Sequence, residues 1–347
     1  MPRFEPFPGI RYDPARVDVE AVVAPPYDVI SAEDRAALAD RDPHNVVVVD
    51  VPTESDGPDR YPAAGAAFRQ WLADGILVAD HEPAYYRYAM TFTDEAGTAR
   101  TIAGVVGALA VTDPDAPGND VLPHEQTTPK ASTDRLDLTR ATRANLSPIW
   151  GLSLASGLAE RTREPGERLA SVTDGDGVVH ELERIDDPAR VEAIHAAVAS
   201  APVLIADGHH RYGVARQYRD ERRAAGAPGS ADLTLAFIQE LAADQLVVQA
   251  IHRLVAGLDD DADLPAVLAA SFELAPAGPV TPATLGAMAD KGALCLVAPD
   301  GTGQFLVPRP DAFAGVRDLE HFESVGQRAR GPSPTAPLIL SAAVTSA

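Results

Sequence analysis

VLIADGHHRYGVARQYRDE, residues 203–221, carries the reading of the fold. Val203 to Ala206 is a short apolar run that fits a buried strand. Asp207 and Gly208 break it. From His209 to Tyr212 onward the pattern turns helical, as far as Ala225, and Gly226 closes it. A buried strand passing straight into a helix indicates an α/β architecture of mixed α+β type, with mixed sheets and flanking helices. The start of such a helix exposes free backbone N–H groups and a partial positive charge. His209, His210 and Arg211 add positive charge to positive. That is unfavourable in a bare helix and favourable once an anion, such as phosphate, sits on the turn. Gly208 lets a ligand approach the backbone. Asp207 can orient a histidine, hold a metal or act as a base. Tyr212 is counted with the binding residues. The plainer alternative has Asp207 capping the helix, the histidines packing and Arg211 in a salt bridge.

Upstream lies HEQTTPKASTDR, residues 124–135. His124 and Glu125 fall in a loop, not in the helical H-E-x-x-H spacing of zinc proteases. Thr127, Thr128, Lys130, Asp134 and Arg135 offer hydroxyls and charges suited to phosphate or Mg²⁺. Lys130 is one of two lysines in a chain that otherwise relies on arginine, which points to a need for a compact ammonium. Asn145 and Ser147, in ANLSPI, can order the same site or simply form a turn. Near the N-terminus APPYDVIS brings Tyr27 and Asp28, either as pocket residues or as a proline-stiffened link. IHRLV places His252 and Arg253 at an expected strand end, where a structural ion pair is the stronger reading. His44, His81, His180, His195 and His321 have no companions in sequence and read as structural or exposed.

Around these motifs the pattern gives a helix capped by Ser31, a buried strand at VVVVDV (residues 46–51) and a helix from Tyr61 to Asp74. Paired strands flank DEAGTA. A helix runs from Asp134 to Ala144, capped by Ser132 or Thr133. Strands are expected at 149–154, 178–182, 233–241 and 245–251, and a helix at 188–199. Beyond Gly257 a further α/β region holds a helix near 264–271 and strands at 294–297 and 305–307. The last residues show no element and read as disordered. The regions are 1–115, an N-terminal α/β part; 116–257, the motif-bearing core; and 258–347.

The chain has 347 residues, 29 Lys and Arg against 51 Asp and Glu, and a net charge of -22. Such a surface repels nucleic acids and anionic membranes. Cys295, the single cysteine, reads as a buried inert thiol and excludes a disulfide within the chain. No stretch has the length of a membrane span or a signal-peptide core, so the expected place is the cytoplasm. The expected partner is a small molecule; the oligomeric state is open.

Taken in order, APPYDVIS, HEQTTPKASTDR with RANLSPI, ADGHHRY and AIHR resemble domain of unknown function family 1015, over roughly residues 1–255. The resemblance implies no activity. Members are sometimes encoded near serine-biosynthesis genes, which hints at a pathway. The family usually closes with a lysine-containing strand-rich segment, whereas this chain finishes in GPSPTAPLILSAAVTSA. A site closed by that segment would be impaired here. DGHHRYGVA is also locally similar to the phosphate-gripping turn of the ParB and sulfiredoxin superfamily, which includes free-serine kinases. By that likeness Gly208, His209, His210 and Arg211 hold phosphate. The first expectation is therefore a nucleotide-dependent phosphotransferase without a P-loop. It would use ATP or ADP with Mg²⁺ on a small metabolite such as serine, with Glu125 or Asp207 taking the proton. The second is a metal-dependent hydrolase or phosphatase using His124, Glu125, Asp207, His209 and His210. The third is a nucleotide-binding regulatory protein without catalysis.

Overall fold

The computed structural model describes residues 1–94, 97–113, 119–123, 129–242, 245–246, 263–310, 312 and 341–343. The chain forms two compact units, one of Met1–Val247 with Glu323–Ala347 and one of Val248–Phe322.

In chain order the first unit contains β1 (Phe4–Glu5), β2 (Gly9–Tyr12), α1 (Val19–Val22), α2 (Ala32–Arg41), α3 (Val47–Asp50) and α4 (Arg60–Ala73). There follow β3 (Leu77–Ala79), β4 (Tyr85–Thr93), β5 (Ala99–Ala110), β6 (Val121–Leu122), α5 (Pro129–Thr142), β7 (Ala144–Asn145) and β8 (Ile149–Ser153). Then come α6 (Leu158–Arg161), β9 (Glu167–Thr173), β10 (Val179–Ile185), α7 (Pro188–Ala199), β11 (Val203–Asp207), α8 (His209–Ala224) and β12 (Leu233–Glu240). The second unit packs α9 (Leu264–Leu268) and α10 (Pro282–Lys291) with β13 (Phe272–Pro279), β14 (Leu294–Val297) and β15 (Thr302–Pro308), in the strand order β13-β15-β14. Cys295 is half-buried on β14, not sealed in a core.

Among the described residues nine strands make one mixed sheet, in the order β6-β11-β8-β12-β5-β4-β10-β9 with β1 on β5. The fold is thus mixed α/β, as the strand–turn–helix at 203–221 requires. One face buries Phe4, Tyr85, Leu109, Ile149, Ile194, Ile205 and Tyr212. The other buries Tyr86, Tyr88, Met90, Leu235 and Phe237. A separate layer packs Ile10, Val22, Leu38, Val47, Phe68, Trp71 and Leu138. No helix among the described residues is long and apolar enough to cross a membrane.

β8 and β12 run parallel, and β11 runs antiparallel to β8. One edge of the sheet therefore collects the beginnings of β8 and β12 and the end of β11. Segment 144–147, Leu233 and Thr234, and the start of α8 meet there.

Several expectations need correction. VVVVDV forms helix α3, not a strand. A short apolar run does not by itself distinguish the two. Here Asn45 decides: its side-chain oxygen accepts the Val47 N–H at 3.1 Å, and its amide donates to the Ala21 and Val23 carbonyls at 2.7 and 3.1 Å. Helix α5 begins at Pro129 and not near Asp134, because proline is at home in a first helical turn. Strand β9 was not anticipated. It is an edge strand, largely exposed, and its sequence ERLASVT lacks clean alternation. Residues 341–343 form strand β16, between β2 and β7, where no element was expected. His180 does have companions: its Nδ1 lies 2.7 Å from the Tyr88 hydroxyl and its Nε2 lies 3.0 Å from Asp174. The expected strand 245–251 lies outside the described residues from 247 onward.

Candidate functional site

Pro25 and Pro26 stiffen the approach to a single 3-10 turn, Tyr27–Val29. Pro26 sits at φ -52°, ψ 140°, which delivers Tyr27 in an extended approach. The half-buried Tyr27 ring is met by two arginines. The Arg135 guanidinium carbon is 3.4 Å from the ring centroid and that of Arg211 is 5.8 Å from it. Arg135 comes from α5 and Arg211 from the first turn of α8, so residues far apart in sequence share one ring.

Arg135 is fixed from behind. Its Nη1 donates to Asp50 Oδ1 at 2.7 Å, and Asp50, at the end of α3, is 2 % exposed. The Ser147 hydroxyl donates to the other Asp50 oxygen at 3.4 Å. Asp50 is the site residue that sequence reasoning missed. Its signal was a carboxylate closing a run of four valines, which a core position tolerates only when the charge is paired.

Arg211 is engaged within the protein. It donates to the Pro148 carbonyl and to the Asp207 carboxylate, one helical turn away. Gly208 adopts φ 90°, and a Cβ there would lie 3.0 Å from Arg211 Nε and 3.2 Å from the Ile149 Cα. Gly208 therefore makes room for Arg211 and the backbone of β8. Asp207 pairs with Arg211 and is half exposed; it does not cap the helix, since α8 has no side-chain cap.

Helix α5 ends at Thr142, and Arg143 after it takes φ 53°, a left-handed conformation that turns the chain into β7. This brings Asn145 and Ser147 to a cleft of about 620 Å³, open mouth included. Tyr27, Asp50, Arg135, Arg211 and Thr234 share its lining, with Leu138, Leu146, Val214, Tyr218 and Leu233 as apolar walls. The Thr234 hydroxyl donates to Asn145 Oδ1 at 3.1 Å. Thr139 donates to the Arg135 carbonyl at 2.8 Å.

The electrostatics are uneven. Burial raises the Tyr27 pKa, against the opposing pull of Arg211 and Arg135. Asp28 is exposed at its surface, yet the surrounding protein removes enough water to raise its pKa as well. Arg211 opposes that shift and Asp207 adds to it. A carboxyl of this kind, beside two arginines, is suited to accept a proton near an anionic ligand.

The other expected residues fall as follows. His209 is buried and His210 half-buried, both in the first turn of α8. Tyr212 faces the sheet core, where its hydroxyl accepts the Thr112 N–H at 2.8 Å; it does not line the cleft. Asp134 receives the Tyr61 hydroxyl at 2.7 Å. Lys130 lies in the first turn of α5. His124, Glu125, Thr127 and Thr128 lie outside the described residues, as do His252 and Arg253. Among the described residues no group of three His, Cys, Asp or Glu is placed to hold a metal ion.

Residues 4–324 match the family described as "Protein of unknown function (DUF1015)". No curated protein and no solved structure gives a significant match.

Proposed function

The chain belongs to this family of proteins of unknown function, and within it we propose a phosphotransferase without a P-loop that acts on a small metabolite. The observation that supports this reading is the meeting of Arg135 and Arg211 on Tyr27, which joins three of the motif stretches at one cleft. Phosphoryl transfer asks chiefly for positioning and charge neutralisation. In this reading the turn at Gly208, His209 and His210 receives the phosphates of ATP or ADP. Lys130, with His124, Glu125 and Thr127, neutralises the transferring group and its Mg²⁺. The acceptor lies in the cleft beside Arg135. Its hydroxyl oxygen forms the new bond to the terminal phosphorus, the bond from that phosphorus to the bridging oxygen breaks, and the nucleotide leaves. Asp28 takes the hydroxyl proton; Asp207, tied to Arg211, is less suited to do so than expected.

The test is ³¹P NMR of the full chain with ATP, MgCl₂ and hydroxyl-bearing metabolites, serine among them. Thermal melting with each nucleotide accompanies it. A phosphorylated product, reduced in His210→Ala, is the expected result. Absence of both a nucleotide-dependent shift in melting and any phosphoryl transfer would overturn the reading.

A further inference from the structure

We propose that the cleft beside Arg135 is a subsite for a monocarboxylate with a short body, apolar or bearing a hydroxyl. This rests on reading the Tyr27 cleft as the substrate site, and it names the acceptor's chemistry.

Asn145 Oδ1 is occupied by Thr234, while the Asn145 amide nitrogen has no partner among the described residues. Arg135 gives one nitrogen to Asp50, and its remaining N–H groups have no other partner there either. Ser147 and Thr234 give their hydroxyl protons to Asp50 and Asn145. Among the described residues the Asn145 amide and the Arg135 N–H groups are therefore the surplus donors, which fit a ligand made of acceptors. A planar carboxylate matches the fork of a guanidinium.

Arg135 stands against Asp50 and Arg211 against Asp207. Asp28 adds a further carboxyl beside the same arginines. A phosphate monoester brings about -1.5 to -2 charges at neutral pH, and among the described residues lining the cleft little positive charge is left to meet it. A carboxylate brings a single charge and, unlike a dianion, does not overload two guanidiniums that already have counter-ions.

Leu138, Leu146, Val214 and Leu233 line the rest of the cleft, and Thr234 adds one hydroxyl. Such a lining suits a few carbon atoms, with room for a hydroxyl at the polar end.

The experiment titrates the full chain, without nucleotide, with propionate, isovalerate, L-serine and L-valine. Propionamide, L-serinamide, inorganic phosphate and pyrophosphate serve as contrasts. Binding is read by calorimetry and by the melting midpoint. The expected result is that at least one carboxylate binds and its amide does not. Asn145→Asp keeps the side-chain size and the acceptor for Thr234 but sets a negative charge against the ligand. It should weaken binding about tenfold or more, as should Arg135→Lys, which loses the fork. Circular dichroism confirms that both variants fold. Binding of phosphate or pyrophosphate alone, sensitive to Asn145→Asp, would overturn the proposal. So would silence with every probe, or carboxylate binding indifferent to both variants. Carboxylate binding without any phosphoryl transfer would sink the phosphotransferase reading and leave the subsite standing. Transfer to an acceptor that lacks a carboxylate would do the reverse.

Discussion

Arg135 lies with its guanidinium carbon 3.4 Å from the centre of the Tyr27 ring while holding the buried Asp50 at 2.7 Å. One cation thus serves a π-face, a buried anion and an open cleft. Removing it leaves Asp50 charged and without a counter-ion in the core, a loss of about 3 kcal/mol or more. Arg135→Gln and Asp50→Asn are each expected to lower stability to urea. The double variant should lose clearly less than the sum of the two, because the neutral pair no longer strands a charge. Strict additivity in that cycle would show that the pair is not coupled.

Gly208→Ala introduces a Cβ at φ 90° that meets the Ile149 backbone at 3.2 Å and the Arg211 guanidinium at 3.0 Å. Backbone strain and crowding together should cost about 1–3 kcal/mol. The melting midpoint should fall, and ligand binding at the Tyr27 cleft should weaken with it as Arg211 is displaced. An unchanged midpoint would mean that the turn relaxes freely.

Asn45 is fully buried, and both ends of its amide are used. Asn45→Ala strands the Ala21 and Val23 carbonyls and the Val47 N–H. The expected cost is about 2–3 kcal/mol in chemical denaturation. A loss confined to a few tenths would show that α3 forms without this cap.

Asp28 ionises at higher pH in the folded chain than in the unfolded one, because burial outweighs the attraction of Arg211. The folded state therefore keeps its proton over a window just above the ordinary carboxylate range, at about pH 4 and upward. Stability falls as pH rises through that window, since there the unfolded state binds fewer protons. Asp28→Asn removes this term and should gain on the wild type as pH increases. A difference between the two that does not change with pH would place no raised carboxyl at Asp28.

The opposite sign is expected at Asp174. Burial works against its ionisation, but the hydrogen bonds from His180 and from the Val178 and Asp176 N–H groups win, and its pKa is lowered. The stability it contributes is present above the ordinary carboxylate range and is lost as pH falls through the lowered value. Asp174→Asn should therefore differ from the wild type at neutral pH and converge on it in acid. Equal acid sensitivity of the two proteins would count against this chain of hydrogen bonds.

The strand–turn–helix at 203–221 could be read because an apolar run, a glycine and a helical period follow one another within a few residues. So could the hairpin of β4 and β5, the Ser31 cap and helix α7. What escaped depends on partners distant in sequence. VVVVDV is a helix because Asn45 reaches back to Ala21 and Val23. Asp50 is a site residue because α5 brings Arg135 to it. Among the motif residues, Tyr27, Arg135, Asn145, Ser147 and Arg211 do come together. Tyr212 and Asp134 turn elsewhere, because helical periodicity places each on a face that meets another neighbour. The DGHH turn showed where charge accumulates, but not that Asp207 and the Pro148 carbonyl would occupy Arg211.

The way the cleft is assembled also sets an order in time. Tyr27 leaves the ribosome long before Arg211. At about 5–20 residues per second, its ring waits on the order of ten to forty seconds for its second cation. Within that interval α2 to α4 are synthesised before Leu138 and Leu146, which complete their apolar layer. Until those two leucines emerge, the apolar faces of α2 to α4 lack part of the layer that covers them in the folded chain.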